Sequence, residues 1–120
     1  MIECVPWTTE HEQSMRDPAG ASCLPFLRAE VLSGRSKLWR CTDGASLAYM
    51  VTRFDRNPDE LVIAYCEGRD MHKFAGAFLE AARAQRVPLR IHTTKPSIAR
   101  YLRRYGLQLQ EYVLRTELPA

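Results

Sequence analysis

Residues 60–67 read ELVIAYCE, an almost unbroken apolar run bounded by carboxylates. A strand with one buried face alternates with period two. This run does not, which predicts a central strand covered on both faces. The period then changes. Met71, Phe74, Ala75, Phe78, Leu79 and Ala82 recur at three- and four-residue spacing, predicting an amphipathic helix over 71–85. Residues 87–93 (VPLRIHT) predict a short strand, and residues 96–105 a second helix closed by Gly106. Its apolar face is Ile98, Tyr101, Leu102 and Tyr105, with Arg100, Arg103 and Arg104 on the other side. Residues 107–118 end the pattern as a long strand.

Ahead of the central strand, KLWRCT (37–42) and ASLAYMVTRF (45–54) flank Asp43-Gly44. That dipeptide between apolar segments predicts a hairpin closed by a tight primed turn. Residues 55–59 (DRNPD) have loop composition. Residues 2–5 predict a short first strand stopped by Pro6, and residues 8–16 are polar, with room for one helical turn. Asp17-Pro18 has the form of a helix cap followed by proline at the first helical position. Pro25 would interrupt a helix begun there, so a broken helix is expected, ending near Ser33 before Gly34. Leu24, Leu27 and Val31, with Leu32 beside them, give it an apolar stripe. An antiparallel front half followed by strand–helix–strand units defines the class as α/β (α+β): a mixed, strongly twisted sheet with helices on both faces, residues 61–65 central.

With 120 residues the chain is expected to form a single domain over 1–120. Hydrophobic residues at 46% and charged ones at 26% fit a soluble globular protein. No apolar run approaches the ~20 residues of a membrane helix, and MIECVPW lacks the regions of a signal peptide, so a cytoplasmic protein is expected. Charge is unevenly spread. Residues 1–82 carry twelve acids and nine bases, residues 83–120 two acids and eight bases. Arginine dominates the bases, which suits phosphate or carboxylate recognition, although a solvated face explains such a run equally well. Cys4, Cys23, Cys41 and Cys66 form no Cys-x-x-Cys pair, and His11, His72 and His92 are scattered. No metal site is expected, and the cysteines read as free thiols.

The segment IARYLRRYGLQL (98–109) resembles the fourth helix of the GCN5-related N-acetyltransferase (GNAT) family. There an alanine, a tyrosine, a basic turn and a Gly-Phe pair precede the last long strand. Element order and lengths agree with that family from about Ser36 onward, and loosely before it. The resemblance implies acetyl-CoA as acyl donor, bound where the fourth strand splays from the fifth. The pyrophosphate would rest on amides at the N-terminus of the third helix, which favours anions. The family's (Arg/Gln)-x-x-Gly-x-(Gly/Ala) turn falls on residues 70–75 (DMHKFA), where only Ala75 conforms. Asp70 adds a negative charge, and Lys73 stands where a glycine would let phosphates approach. The implied cofactor-binding residues are Tyr65, Cys66, Arg69, Asp70, Met71, His72, Lys73, Phe74 and Ala75.

The family's usual general acid is a tyrosine at the position of Leu102 here. Its neighbour Tyr101 is the candidate acid, and Glu67, ending the central strand, the candidate base. The Phe of Gly-Phe is Leu107, and an asparagine often found three before the alanine is Pro96. Trp7 and His11 lie where family members build acceptor pockets. Three functions are therefore set against one another. The first is a divergent N-acetyltransferase acting on a small-molecule or protein amine. The second is a catalytically silent binding or assembly component in a bacterial host cell or virion. Compact phage-encoded GNAT-like proteins are of this kind, and the Ile-x-x-Tyr-Leu-x-x-x-Gly helix looks similar to theirs. The third is a nucleic-acid-associated basic module. Arg100, Arg103 and Arg104 are expected to bind polyanions weakly and with strong salt dependence.

Overall fold

In the computed structural model, residues 1–15, 24–69 and 71–91 are described, residues 71 and 72 by their backbone only. The apolar run becomes β4 (Glu60–Gly68), placed between β3 (Ser46–Asp55) and β5 (Leu89–Ile91). With β2 (Lys37–Asp43) and β1 (Ile2–Val5), the described residues form a five-stranded sheet ordered β1-β2-β3-β4-β5. The first three pairings are antiparallel and β4–β5 is parallel, with α3 (Met71–Ala84) as the crossover. The sheet is therefore mixed, with the apolar strand interior to it, as its pattern requires.

Helices cover both faces. Phe74, Ala75 and Phe78 of α3 pack on Cys41, Ala48, Met50 and Ile63, and the Phe78 ring meets Trp39 edge-on at 5.6 Å. On the opposite face Leu24 and Leu27 of α2 (Leu24–Leu32) join Met15, Leu38, Tyr49, Val51 and Tyr65. Trp39 Nε1 also donates to Thr52 Oγ1 at 2.8 Å across the hairpin, and Thr52 is buried. Thr52→Val keeps the shape but removes that acceptor, so unfolding in urea should show a loss of about 1–2 kcal/mol. An unchanged midpoint would mean that the indole finds another acceptor.

Local chemistry sets the element ends. Thr8 Oγ1 accepts from the His11 backbone N–H at 3.1 Å and caps α1 (Thr9–Ser14). Pro25 lies in α2, which runs on to Leu32, close to the end expected near Ser33 and Gly34; the helix expected ahead of Pro25 lies outside the described residues. The hairpin turn is displaced by one residue from Asp43-Gly44. Asp43 pairs with Ser46, leaving Gly44 and Ala45 as the central residues, and Gly44 takes φ +59° at the first of them. This is the pattern of a type II′ turn. β5 begins at Leu89 and not at Val87 because Pro88 has no N–H; the Pro88 carbonyl instead accepts from Leu61 N at 2.9 Å. The Asp17-Pro18 cap, the helix over 96–105 and the strand over 107–118 lie outside the described residues.

Candidate functional site

One irregularity in β4 decides which side chains meet. Val51 pairs with Tyr65 and Thr52 with Ile63, so Ala64 has no partner across the β3–β4 ladder. Such a bulge reverses the facing of every later residue in the strand. Ile63 faces α3, whereas Tyr65, only two residues on, joins the cluster beneath α2. Without the extra residue, Tyr65 and Glu67 would point to the α3 side. With it, they lie beside Tyr49 on the face covered by α1 and α2.

There they form a polar cluster against an apolar floor. In register across four strands run Glu3, Arg40, Tyr49 and Glu67. Arg40 Nη1 lies 3.4 Å from Glu3 Oε1, and the Tyr49 hydroxyl is 2.9 Å from His11 Nδ1. The Tyr65 hydroxyl bonds both the Glu67 carboxylate and the Met15 carbonyl oxygen, the latter at 3.1 Å. Tyr49 and Tyr65 are buried at 4% and 8% exposure, while Glu67 is half-buried. A carboxylate held by a phenol near the end of a strand is suited to accepting a proton from an amine.

The N-terminus of α3 lies just beyond the same end of β4. Among the residues expected to hold a cofactor, Phe74 and Ala75 have core side chains, so only their backbone is available to a ligand. Cys66 faces α3 and Tyr65 the opposite side. The Arg69 amide is engaged, donating to Leu47 O at 3.0 Å. Lys73 is exposed and its ammonium stands 3.7 Å from Asp43 Oδ2 of the hairpin. Asp70, Tyr101, Arg100, Arg103 and Arg104 fall outside the described residues, as do the side chains of Met71 and His72. First-turn amides of a helix lack intrahelical acceptors, and with Lys73 they fit an anionic group, opposed by Asp43.

If Lys73 meets an anion there, Asp43→Asn should tighten binding of coenzyme A by about two- to fivefold, the scale of an exposed ion pair. Calorimetry on the two proteins checks this. Unchanged or weaker binding would remove Lys73 from the site.

Trp7 packs with the cluster beneath α2, and its Nε1 is buried without a hydrogen-bond partner among the described residues. Burial pushes the Cys41 thiol up to about 11, against a smaller lowering by the N-terminal ammonium. That thiol is no nucleophile at neutral pH. No group of three or more metal-ligating side chains occurs among the described residues. Nor, among them, is any helix long and apolar enough to cross a membrane. A depression of about 430 Å³ lined by Phe26, Glu30, Arg35, Arg53 and Asp55 lies toward the opposite end of β3 from Tyr49. Its charges are already matched, Arg53 Nε to Asp55 Oδ1 at 2.9 Å and Arg35 to Glu30 at 4.0 Å. It is separate from the chemistry around Glu67.

No protein-family model matches the chain, and no curated protein matches it. Among solved structures it is similar to the crystal structure of a probable acetyltransferase, at 11% identity and a TM-score of 0.57. The match covers 100% of this chain and 98% of the other. What the likeness shows is a shared fold. Among the described residues, the five-stranded mixed sheet with helices on both faces is consistent with a GNAT-like fold.

Proposed function

We propose that the protein is a divergent acetyl-CoA-dependent N-acetyltransferase acting on an amine. The observation that carries this reading is the placement of Glu67. The bulge at Ala64 turns it onto the polar face, at the end of β4 that leads into the N-terminus of α3. Ligands in α/β folds bind at the carboxyl ends of parallel strands, and β4 is such a strand toward β5. The probable acetyltransferase of the same fold supports the choice of chemistry.

Acetyl-CoA supplies the acyl group as a thioester. Glu67 accepts the proton that the amine sheds as its nitrogen bonds to the acyl carbon, and the sulfur departs as that bond forms. Tyr101, beside the position that holds the general acid in GNAT proteins, is the candidate to return a proton to the departing thiolate. Lys73 and the first-turn amides of α3 hold the phosphates, while His11, Tyr49 and Trp7 border the acceptor side. The chain's main contribution is position: an amine kept beside the thioester needs little further activation.

The test is thiol release from acetyl-CoA with a panel of primary amines and lysine peptides, the acetylated product being confirmed by mass spectrometry. Amine-dependent release is expected for at least one acceptor class. Release no faster than in buffer for every amine would contradict the reading and favour a silent protein of the same shape.

A further inference from the structure

Tyr65 carries one hydrogen and faces two acceptors. Its hydroxyl lies 3.1 Å from the Met15 carbonyl oxygen and also bonds Glu67 Oε2. A carbonyl oxygen has no hydrogen, and an ionised carboxylate has none either. The two bonds therefore cannot both be donated by the phenol. When Glu67 is ionised, the hydrogen goes to the charged acceptor, the stronger of the two. When Glu67 is protonated, its carboxyl group donates to the phenol oxygen and the phenol donates to Met15.

We infer that Tyr65 is the positioning residue of Glu67, its hydroxyl hydrogen moving between the Glu67 carboxylate and the Met15 carbonyl as Glu67 changes charge. The inference rests on the reading of Glu67 as the base and adds how that base is regulated. Met15 is the C-cap residue of α1, and its side chain is in the core. Ionisation of Glu67 thus orients the carboxylate and, in the same step, releases the carbonyl that ties the end of α1 to β4. When Glu67 takes up a proton, the tie is restored. The phenol acts as a proton-conserving coupler between the base and the segment that covers it.

Among the described residues, the other polar groups on this face have partners of their own. From β3, Tyr49 stands opposite Glu67 and its hydroxyl meets His11 Nδ1 of α1 at 2.9 Å. From β2, Arg40 faces Glu3 of β1 at 3.4 Å. Glu12 of α1 pairs with Arg28 of α2 at 3.2 Å.

The experiment is carbon-13 NMR on the full chain, following the Glu67 side-chain carboxyl and the Met15 backbone carbonyl against pH, with Glu67→Gln to assign the first signal. In the unmodified protein the Met15 carbonyl shift should move with the same midpoint as Glu67. In Tyr65→Phe that movement should vanish, and the Glu67 midpoint should rise by about 1–2 units, the scale of a lost hydrogen bond to a charged group. A Tyr65 that only packs would leave both signals independent. A Met15 carbonyl that stays flat through the Glu67 titration in the unmodified protein overturns the inference and needs no variant to fold. Absence of acetyl transfer with co-titration intact would instead contradict the enzymatic reading and leave the coupling standing.

Discussion

Glu67→Gln is expected to lower kcat for acetyl transfer by about 10²–10⁴-fold, the range a positioned general base supplies, with little change in acetyl-CoA binding. Glutamine has the same shape and keeps an oxygen for the Tyr65 hydroxyl, so the network under α1 survives. What it cannot do is accept a proton. A variant that retains activity to within a few-fold would move the base elsewhere. His11, held by Tyr49 on the same face, is then the next group to substitute. A loss expressed wholly in KM would mean that Glu67 binds the acceptor and leaves its proton alone.

The largest structural effect is expected at Gly68, where β4 leaves the ladder. Its φ is +132°, and a Cβ built there would stand 2.3 Å from Leu47 O and 2.5 Å from Ala48 Cα. Both neighbours are backbone, held by the Ala48–Gly68 pairing and by the Arg69 N to Leu47 O bond. They cannot move aside without opening the end of the strand that carries Glu67. Gly68→Ala should therefore cost about 3 kcal/mol or more in urea unfolding. Gly34→Ala is the matched control. That glycine also has positive φ, +83°, but a Cβ there meets nothing within 4 Å. Its cost should stay near the ~1–2 kcal/mol of left-handed backbone alone. Equal losses at the two glycines would show that close approach at Gly68 is not what requires glycine.

Periodicity carried most of the fold. The doubly apolar run over 60–67, the helical spacing from Met71 to Ala82 and the hairpin segments all reappear as β4, α3 and β2–β3. Each signal is local, and each agrees with its neighbours. The bulge at Ala64 left no trace, because a strand buried on both faces has no alternation for a one-residue slip to disturb. That slip nonetheless determines that Tyr65 and Glu67 share a face with Tyr49. The partners of the expected site residues were hidden for a related reason. Tyr49 meets His11 over thirty-eight positions, and Lys73 meets Asp43 across the first turn of α3 and the hairpin. Both depend on register and docking, which spacing along the chain does not encode. The one-residue displacement of the hairpin turn has a smaller cause: Gly44 satisfies either placement, and the Asp43–Ser46 pairing selects one.

The most direct test of acetyl-CoA use at this site is an NMR titration of the full chain with acetyl-CoA, following backbone amides. Saturable shifts are expected at residues 64–68 of β4 and at residues 69–74 entering α3, with a dissociation constant of about 1 mM or tighter. The absence of any shift at millimolar acetyl-CoA, or shifts confined to the depression around Phe26, Arg35 and Arg53, would contradict it.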